Sequence, residues 1–207
     1  MERCVYSTNQ CLNRFKITLP KFYLDKINGL IASFDKETLA SLEMISRSRF
    51  FLKGDYLLRA DNICNKSYWV ENGILRKFYY HNSREITTEF YFANDLAISF
   101  DSYILQKPSR EYIQALTDTA VNVTDYTNFQ NLKAKHPQLQ DLDFLLTEYY
   151  ALWLEEKVFE LYTQNATQRY KTLLRKSPHI IQQVQLTQIA SYLNISLETL
   201  SRIRANI

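Results

Sequence analysis

The sequence lacks the features that would direct the chain to export or to a membrane. None of its apolar runs reaches eighteen residues, the length that a transmembrane helix requires. The first sixteen residues, MERCVYSTNQCLNRFK, carry charged and polar side chains where a signal peptide has an apolar stretch. We therefore expect a cytoplasmic protein that does not interact with membranes.

Cysteine and histidine are also scarce. The three cysteines, Cys4, Cys11 and Cys64, are widely spaced and form no C-x-x-C pair, so neither a disulfide framework nor a four-thiolate cluster is expected. A cupin-type enzyme needs clustered histidine and acidic ligands on facing strands, and the strand-rich region offers only His81. We expect no metal site, no cofactor and no enzymatic activity.

The length of 207 residues, with 46% hydrophobic and 23% charged residues, fits one large globular domain or two small ones. The net charge of +3 is unevenly distributed: residues from Thr163 onward carry +5, whereas residues 1–162 carry −2. A basic C-terminal part on a mildly acidic body is typical of a surface that binds phosphate, although a small domain can also be basic by chance.

The hydrophobic period changes twice along the chain. Residues 20–47 predict two short helices, with Asp35 capping the second through Thr38. Residues 49–126 are rich in Tyr, Phe, Ile, Val and Thr, with turn residues at intervals of about eight to twelve positions, which predicts an antiparallel barrel or sandwich. Within this region the pair Asn72-Gly73 predicts a hairpin.

Residues 136–162 return to a helical period and predict a helix of about 40 Å. The apolar positions 142, 145, 149, 152 and 159, interrupted by Glu156, approach a heptad seam. We therefore expect a homodimer through residues 136–163. The alternative is a helix that packs only on its own barrel.

The segment QLTQIASYLNISLETLSRIR, residues 185–204, predicts two short helices joined by a tight turn. Asn194 suits the left-handed backbone of the turn, Ser196 is a good N-cap for the second helix, and Thr187 could cap the first. The buried face is predicted to consist of Leu186, Ile189, Ala190, Leu193, Leu200 and Ile203.

The opposite face of the second helix carries side chains suited to base edges. Arginine can bind guanine O6 and N7, glutamate can accept from cytosine N4, and a leucine can contact a thymine methyl group. A helix-turn-helix presents the start of its second helix to the major groove, whereas a plain helical hairpin would share only the apolar spacing. The predicted DNA-binding residues are Leu197, Glu198, Thr199, Ser201, Arg202, Arg204, Thr187 and Lys176.

Nearly the whole chain resembles the Crp/Fnr family of transcription regulators. The stretches that carry the resemblance are FFLKGDYLLRADN, SYWVENGILRKFYY, PSREYIQALTDTAV, LEEKVFELYTQNATQRYKTLLRKSPHI and, most specifically, IASYLNISLETLSRIR. The resemblance implies an α+β fold with an N-terminal antiparallel β-roll of the cyclic-nucleotide-binding type, a long dimerisation helix and a C-terminal winged helix-turn-helix. We expect these units at residues 1–135, 136–163 and 164–207.

The resemblance fails at the effector site. Family members that bind cyclic nucleotides carry a Gly-Glu step and an Arg followed by Ser or Thr. Here Ile98-Ser99 stands in place of the first, and Pro108 is followed by Ser109 and Arg110. Cys4 and Cys11 alone do not match the cysteine cluster of the FNR-like branch. We expect a small effector other than a cyclic nucleotide, if any, with Ser99, Ser109 and Arg110 as candidate ligand-binding residues.

These observations predict a homodimeric regulator that binds double-stranded DNA and responds to a small ligand in the β-roll. The ligand would act by shifting the population of two arrangements of the helix-turn-helix units. The alternative is a ligand-sensing or interaction module that does not bind DNA.

Overall fold

A computed structural model describes residues 21–206, apart from the side chains of Lys21, Phe22, Leu24 and Lys176. The described part begins with helices α1 (Lys21–Ala32) and α2 (Lys36–Ile45). Asp35 caps α2, since its Oδ1 accepts a hydrogen bond from the Thr38 amide at 2.7 Å. The predicted division of this segment into two helices is confirmed.

Within the described residues, eight strands form two antiparallel sheets of four. The first sheet has the order β1 (Ser46–Phe51), β8 (Thr119–Asp125), β3 (Lys66–Asn72) and β6 (Leu96–Ala97). The second has the order β2 (Tyr56–Leu58), β7 (Tyr112–Ala115), β4 (Leu75–His81) and β5 (Arg84–Tyr91). Helix α3 (Phe100–Leu105) lies between β6 and β7 in the chain. A buried core contains residues of both sheets, including Val70, Leu75, Ile113 and Val121.

The hairpin predicted at Asn72-Gly73 is wrong. Strand β3 pairs with β6 and β8, and β4 pairs with β5 and β7, so the chain passes from one sheet to the other at this point. Gly73 has a φ of +98°, and a Cβ there would lie 2.7 Å from the Asp118 carbonyl oxygen. The β4–β5 hairpin turns instead at Asn82 and Ser83, which both have positive φ, as a type I′ turn requires.

Helices α4 (Tyr126–Lys135) and α5 (Gln138–Thr163) follow the strands. Helix α5 has 26 residues and is the long helix predicted from the hydrophobic period. Leu142 packs against the buried cluster around Phe34 and Leu132, and Tyr149 is also buried. These two positions of the predicted seam are therefore covered by the same chain, and they are not available to a second copy.

Four helices complete the described chain: α6 (Ala166–Lys176), α7 (Ile180–Gln183), α8 (Leu186–Tyr192) and α9 (Leu197–Ala205). Their core is continuous with the β-roll, because Ile74, Phe90 and Leu116 belong to the same cluster as Ile189 and Leu200. Residues 164–206 contain no strand, so the predicted wing has no counterpart among them. No helix within the described residues combines the length and hydropathy that crossing a membrane requires.

Candidate nucleic-acid interface and an inner cavity

Helices α8 and α9 meet at the tight turn that the sequence predicts. Asn194 has a φ of 52°, and the Ile195 amide returns to the Ala190 carbonyl oxygen at 3.0 Å. Ser196 caps α9, since its Oγ accepts a hydrogen bond from the Thr199 amide at 3.1 Å. The six residues of the predicted buried face are buried, with Leu186 only partly so: Leu186, Ile189, Ala190, Leu193, Leu200 and Ile203.

Most of the predicted DNA-binding residues lie on the exposed side of α9. The side chains that α9 exposes are those of Leu197, Glu198, Ser201, Arg202 and Arg204. Thr199 is only partly exposed, and its Oγ1 lies 3.1 Å from the Ser196 Oγ and accepts from Arg202 at 3.4 Å. The first two turns of α9 therefore present an acid, hydroxyl groups and a guanidinium on one side of the helix.

The charge of Glu198 is favoured by its position. A hydrogen bond from Ser196 is the main cause that holds the pKa of Glu198 below its usual value, followed by the backbone of the first turn, and Arg202 adds to the effect. An ionised carboxylate in the first turn of a helix also interacts favourably with the helix dipole. Glu198 is therefore an acceptor, and it can bind only groups that donate.

The two remaining predicted DNA-binding residues lie outside α9. Thr187 is exposed on α8, but it does not cap that helix: the N-cap residue is Gln185, and it makes no side-chain capping bond. Lys176 is the last residue of α6, and its side chain lies outside the described part of the structure. The DNA-binding roles of all eight residues stay predictions.

The three candidate ligand-binding residues do not come together. Ser99 and Ser109 are buried, and the Ser109 Oγ donates to the Ser99 Oγ at 2.9 Å, while Ser99 donates to the Glu111 carboxylate at 2.6 Å. The Arg110 side chain is 78% exposed and pairs with Asp101 at 3.6 Å. The Ser99 hydroxyl also lies 3.2 Å from the Asp101 carboxylate, so an anion at the two serines would lie beside the charges of Glu111 and Asp101.

A cavity of about 280 Å³ lies where strands β4, β5 and β7 face helix α5 and the C-terminal helices. Its aromatic wall consists of Tyr150 and Trp153, whose rings are stacked at 5.7 Å. Its charged lining consists of Lys77, Glu89, Glu111, Lys157, Glu160 and Arg169. Three cations and three acids in one lining balance each other, which does not favour a strongly anionic ligand.

Lys77 is the most deeply buried of these charges, with 4% of its surface exposed. Its Nζ lies 3.0 Å from the Glu89 carboxylate and 3.9 Å from that of Glu111. Burial alone would lower the pKa of Lys77, but Glu89, followed by Tyr91 and Glu111, raises it well above its usual value. One buried ammonium on β4 therefore pairs with a carboxylate on each side of that strand, Glu89 in β5 and Glu111 immediately before β7.

This cavity was not among the sites predicted from the sequence. Lys77 and Glu89 face each other in the β4–β5 register, and each lies in a strand rich in aromatic residues. A charged residue that faces inward from such a strand indicates a buried polar site. Which residues face inward can be told only when the register of the strands is known. No group of three or more potential metal-ligating side chains occurs within residues 21–206, and Cys4 and Cys11 lie outside that range.

No protein-family model and no curated protein matches the sequence. Solved structures do match. CLP of Xanthomonas campestris, described as a c-di-GMP-responsive global regulator, has a TM-score of 0.64 at 14% identity, over 83% of this chain and 91% of that one. FixK2 of Bradyrhizobium japonicum has a TM-score of 0.64 at 17% identity, over 78% of this chain and 84% of that one.

A protein of Eubacterium rectale, assigned to the Crp/Fnr family of transcriptional regulators, has a TM-score of 0.62 at 17% identity. That match covers 86% of this chain and 85% of the other. At such low identities the matches establish the fold, and they extend across the β-roll, the long helix and the C-terminal helices. The chain has the fold of the Crp/Fnr regulators, as the resemblance in the sequence predicts.

Proposed function

We propose that the protein is a sequence-specific DNA-binding transcription regulator. The observation that carries this proposal is the exposed face of α9, whose first two turns present Glu198, Ser201 and Arg202 while Leu200 and Ile203 are buried. In a helix-turn-helix this end of the second helix enters the major groove, where arginine and glutamate can read base edges. The charge of +5 from Thr163 onward supplies attraction to phosphate on the same part of the chain.

We further propose that the regulator is a homodimer and that its seam differs from the one predicted. Six positions of α5 are spaced alternately by three and four residues and are all exposed in the single chain: Phe144, Thr147, Ala151, Leu154, Val158 and Leu161. Five of the six are apolar, and a stripe with this spacing is the contact surface of a two-helix coiled coil. A symmetric dimer would place two recognition helices, each an α9, about one DNA turn apart, roughly 34 Å.

A small ligand other than a cyclic nucleotide would bind in the cavity beside α5. The Glu89 and Glu111 carboxylates would repel a phosphate there, and Lys77 is already paired with both. Leu154 and Leu161 line the cavity and also belong to the exposed stripe, so a second copy would adjoin it. Ligand binding and the arrangement of the dimer would then be coupled.

The test is a selection of binding sites from random DNA at fixed salt concentration. We expect enrichment of a near-palindromic site with two half-sites about one helical turn apart. The substitution Arg202→Ala should cost about 1–3 kcal/mol and relax the preference at one base pair in each half-site. The substitution Lys176→Ala should instead weaken binding to every sequence alike, with a shallower salt dependence.

Two results would contradict these roles. Equal losses of affinity for selected and random DNA in Arg202→Ala would remove that residue from base recognition. Failure to enrich any sequence would favour the alternative, a ligand-sensing or interaction module that does not bind DNA. Sedimentation of the wild-type chain measures the dimer independently of both.

A further inference from the structure

Three consecutive residues at the end of helix α8 contact three different parts of the chain. Ser191 contacts strand β5, Tyr192 contacts helix α5, and Leu193 contacts Arg169 of helix α6. We call Ser191, Tyr192 and Leu193 the α8 attachment. It ends three residues before Ser196, the N-cap of the recognition helix α9.

Ser191 binds the edge of the β-roll. Strand β5 is the last strand of its sheet, so one side of its backbone has no neighbouring strand. The Ser191 Oγ accepts a hydrogen bond from the Thr87 amide at 2.9 Å and donates to the Glu85 carbonyl oxygen at 2.9 Å. A single hydroxyl thus satisfies one donor and one acceptor of the open edge.

Tyr192 binds the dimerisation helix. Its hydroxyl accepts a hydrogen bond from the Lys157 Nζ at 2.7 Å, and its ring packs against Phe90 with 5.0 Å between the centroids. Burial raises the pKa of Tyr192, so the hydroxyl is protonated at neutral pH. The Lys157 ammonium also lies 3.3 Å from the Glu160 carboxylate and 5.7 Å from the Trp153 ring centroid.

Leu193 binds helix α6 through its backbone. Its carbonyl oxygen accepts from the Arg169 Nε at 3.2 Å and from the Nη2 at 3.1 Å. The same guanidinium donates from Nη1 to the Gln164 carbonyl oxygen at 2.6 Å. Gln164 directly follows helix α5, so one rigid, planar group joins the end of α5 to the end of α8.

We propose that the α8 attachment fixes the direction of the recognition helix relative to the β-roll and the dimer axis, and that Ser191, Tyr192, Lys157 and Arg169 are positioning residues for DNA binding. This positioning role rests on the proposed function, and it explains how the base-reading side chains of α9 are oriented toward DNA. Contacts to three separate segments restrict both the translation and the rotation of α8. Because the turn to α9 is short and its core is packed, α9 follows α8.

The attachment also adjoins the cavity. Lys157, Arg169, Tyr192 and Leu193 all line it, whereas Ser191 does not. A molecule in the cavity would therefore touch two of the three contacts and leave the third in place. This gives the cavity a direct route to the orientation of α9, through the Lys157–Tyr192 and Arg169–Leu193 hydrogen bonds.

The experiment measures tolerance to the spacing between half-sites. One inserted base pair moves a half-site by about 3.4 Å and turns it by about 35°. For each protein, affinity is measured for the selected site and for the same site with one or two inserted base pairs. The wild-type protein should bind the selected site much more tightly than the lengthened sites. We call the affinity for the selected site divided by the affinity for a lengthened site the spacing ratio. The substitution Tyr192→Phe removes one oxygen, and it should lower the spacing ratio about threefold to tenfold, the equivalent of one hydrogen bond.

Further variants separate the contacts. Lys157→Met should lower the ratio like Tyr192→Phe, and the double variant should be no worse than either, because both remove the same hydrogen bond. Ser191→Ala should add to Tyr192→Phe. Tyr56→Phe, on the remote strand β2, is the matched control and should leave the ratio unchanged. A variant that only destabilises the fold would lower both affinities and keep their ratio.

A second measurement needs no DNA. Hydrogen exchange at the Thr87 amide, which Ser191 protects, should be faster in Tyr192→Phe than in the wild type, while exchange in strand β8 stays the same. If the wild type binds DNA and Tyr192→Phe has the same spacing ratio as the wild type, the positioning role alone is overturned. A wild-type protein that binds no DNA overturns both proposals. Equal acceleration of exchange in β8 would show a general loss of stability and would also overturn the positioning role.

Discussion

At the scale of single residues, the turn between α8 and α9 depends on one backbone conformation. Asn194 is exposed and has a φ of 52°. Residues other than glycine, asparagine and aspartate adopt this left-handed conformation at a cost of about 1–2 kcal/mol. We expect Asn194→Ala to lower the free energy of unfolding by about that amount and Asn194→Gly to change it by less than about 0.5 kcal/mol. Urea unfolding at one protein concentration measures both. Similar losses in the two variants would show that the side chain, and not the backbone, matters.

Asp95 predicts a pH dependence of stability. Burial raises its pKa to about 7, against a hydrogen bond from the Phe92 amide at 2.7 Å that lowers it. The folded state then binds a proton that the unfolded state releases near pH 4. The stabilising contribution is therefore complete below about pH 4 and is lost as the pH rises to about 7, by at most about 1.4 kcal/mol per pH unit.

Asp95→Asn keeps an acceptor for the Phe92 amide and removes the titration. Unfolding of both proteins at pH 5, 6, 7 and 8 should show the wild type losing stability relative to the variant as the pH rises. A difference between the two that is the same at every pH would contradict the raised pKa of Asp95.

Local chemistry explains which single residues could be predicted. Asn194 and Ser196 act on their own backbone neighbours, so their roles follow from a few adjacent letters of the sequence. Lys77 acts on Glu89 and Glu111, which lie 12 and 34 positions away in the chain. Nothing in the letters around Lys77 distinguishes a buried ammonium from an exposed one.

At the scale of elements, helices were more predictable than strand pairing. The period of α5 and the caps of α2 and α9 are local, and these helices occur where the sequence predicts them. The Asn72-Gly73 pair predicted a positive φ correctly but the wrong partner for β3, because pairing depends on strands far along the chain. For the same reason the sequence did not reveal that two positions of the predicted α5 seam, Leu142 and Tyr149, are covered within the chain. The packing of α5 against the rest of the chain decides which of its faces is buried. The sequence of the helix alone does not determine that packing.

The buried charges join β4, β5 and the residue that precedes β7, and their removal should be costly. In Lys77→Met the Glu89 and Glu111 carboxylates lose their shared cation, and we expect a loss of about 3–5 kcal/mol in the free energy of unfolding at pH 7. The triple variant Lys77→Met, Glu89→Gln, Glu111→Gln should recover most of it, because no unpaired charge remains. Thermal and urea unfolding measure both. A triple variant as unstable as the single one would show that packing, and not charge, sets the cost.

At the scale of the whole molecule, one core connects the β-roll to the C-terminal helices. Ile74, Phe90 and Leu116 of the β-roll belong to the cluster that holds α8 and α9. The β-roll and the C-terminal helices are therefore packed against each other in the single chain. What the single chain leaves uncovered is the stripe on α5, where Phe144 is 64% exposed and Val158 50% exposed. An apolar stripe with heptad spacing on a 26-residue helix is typical of an interface.

The exposed stripe gives the sharpest test of assembly, because the chain offers a matched pair of neighbours. Val158 lies on the stripe. Its neighbour Phe159 is similarly exposed, but it points about 100° away around the helix and belongs to the seam predicted from the sequence. Val158→Asp would place two carboxylates against each other across the two-fold axis, and we expect monomers in sedimentation at micromolar concentration. Phe159→Asp should remain dimeric. The reverse outcome would restore the predicted seam, and dimers in both variants would place the interface elsewhere on the molecule.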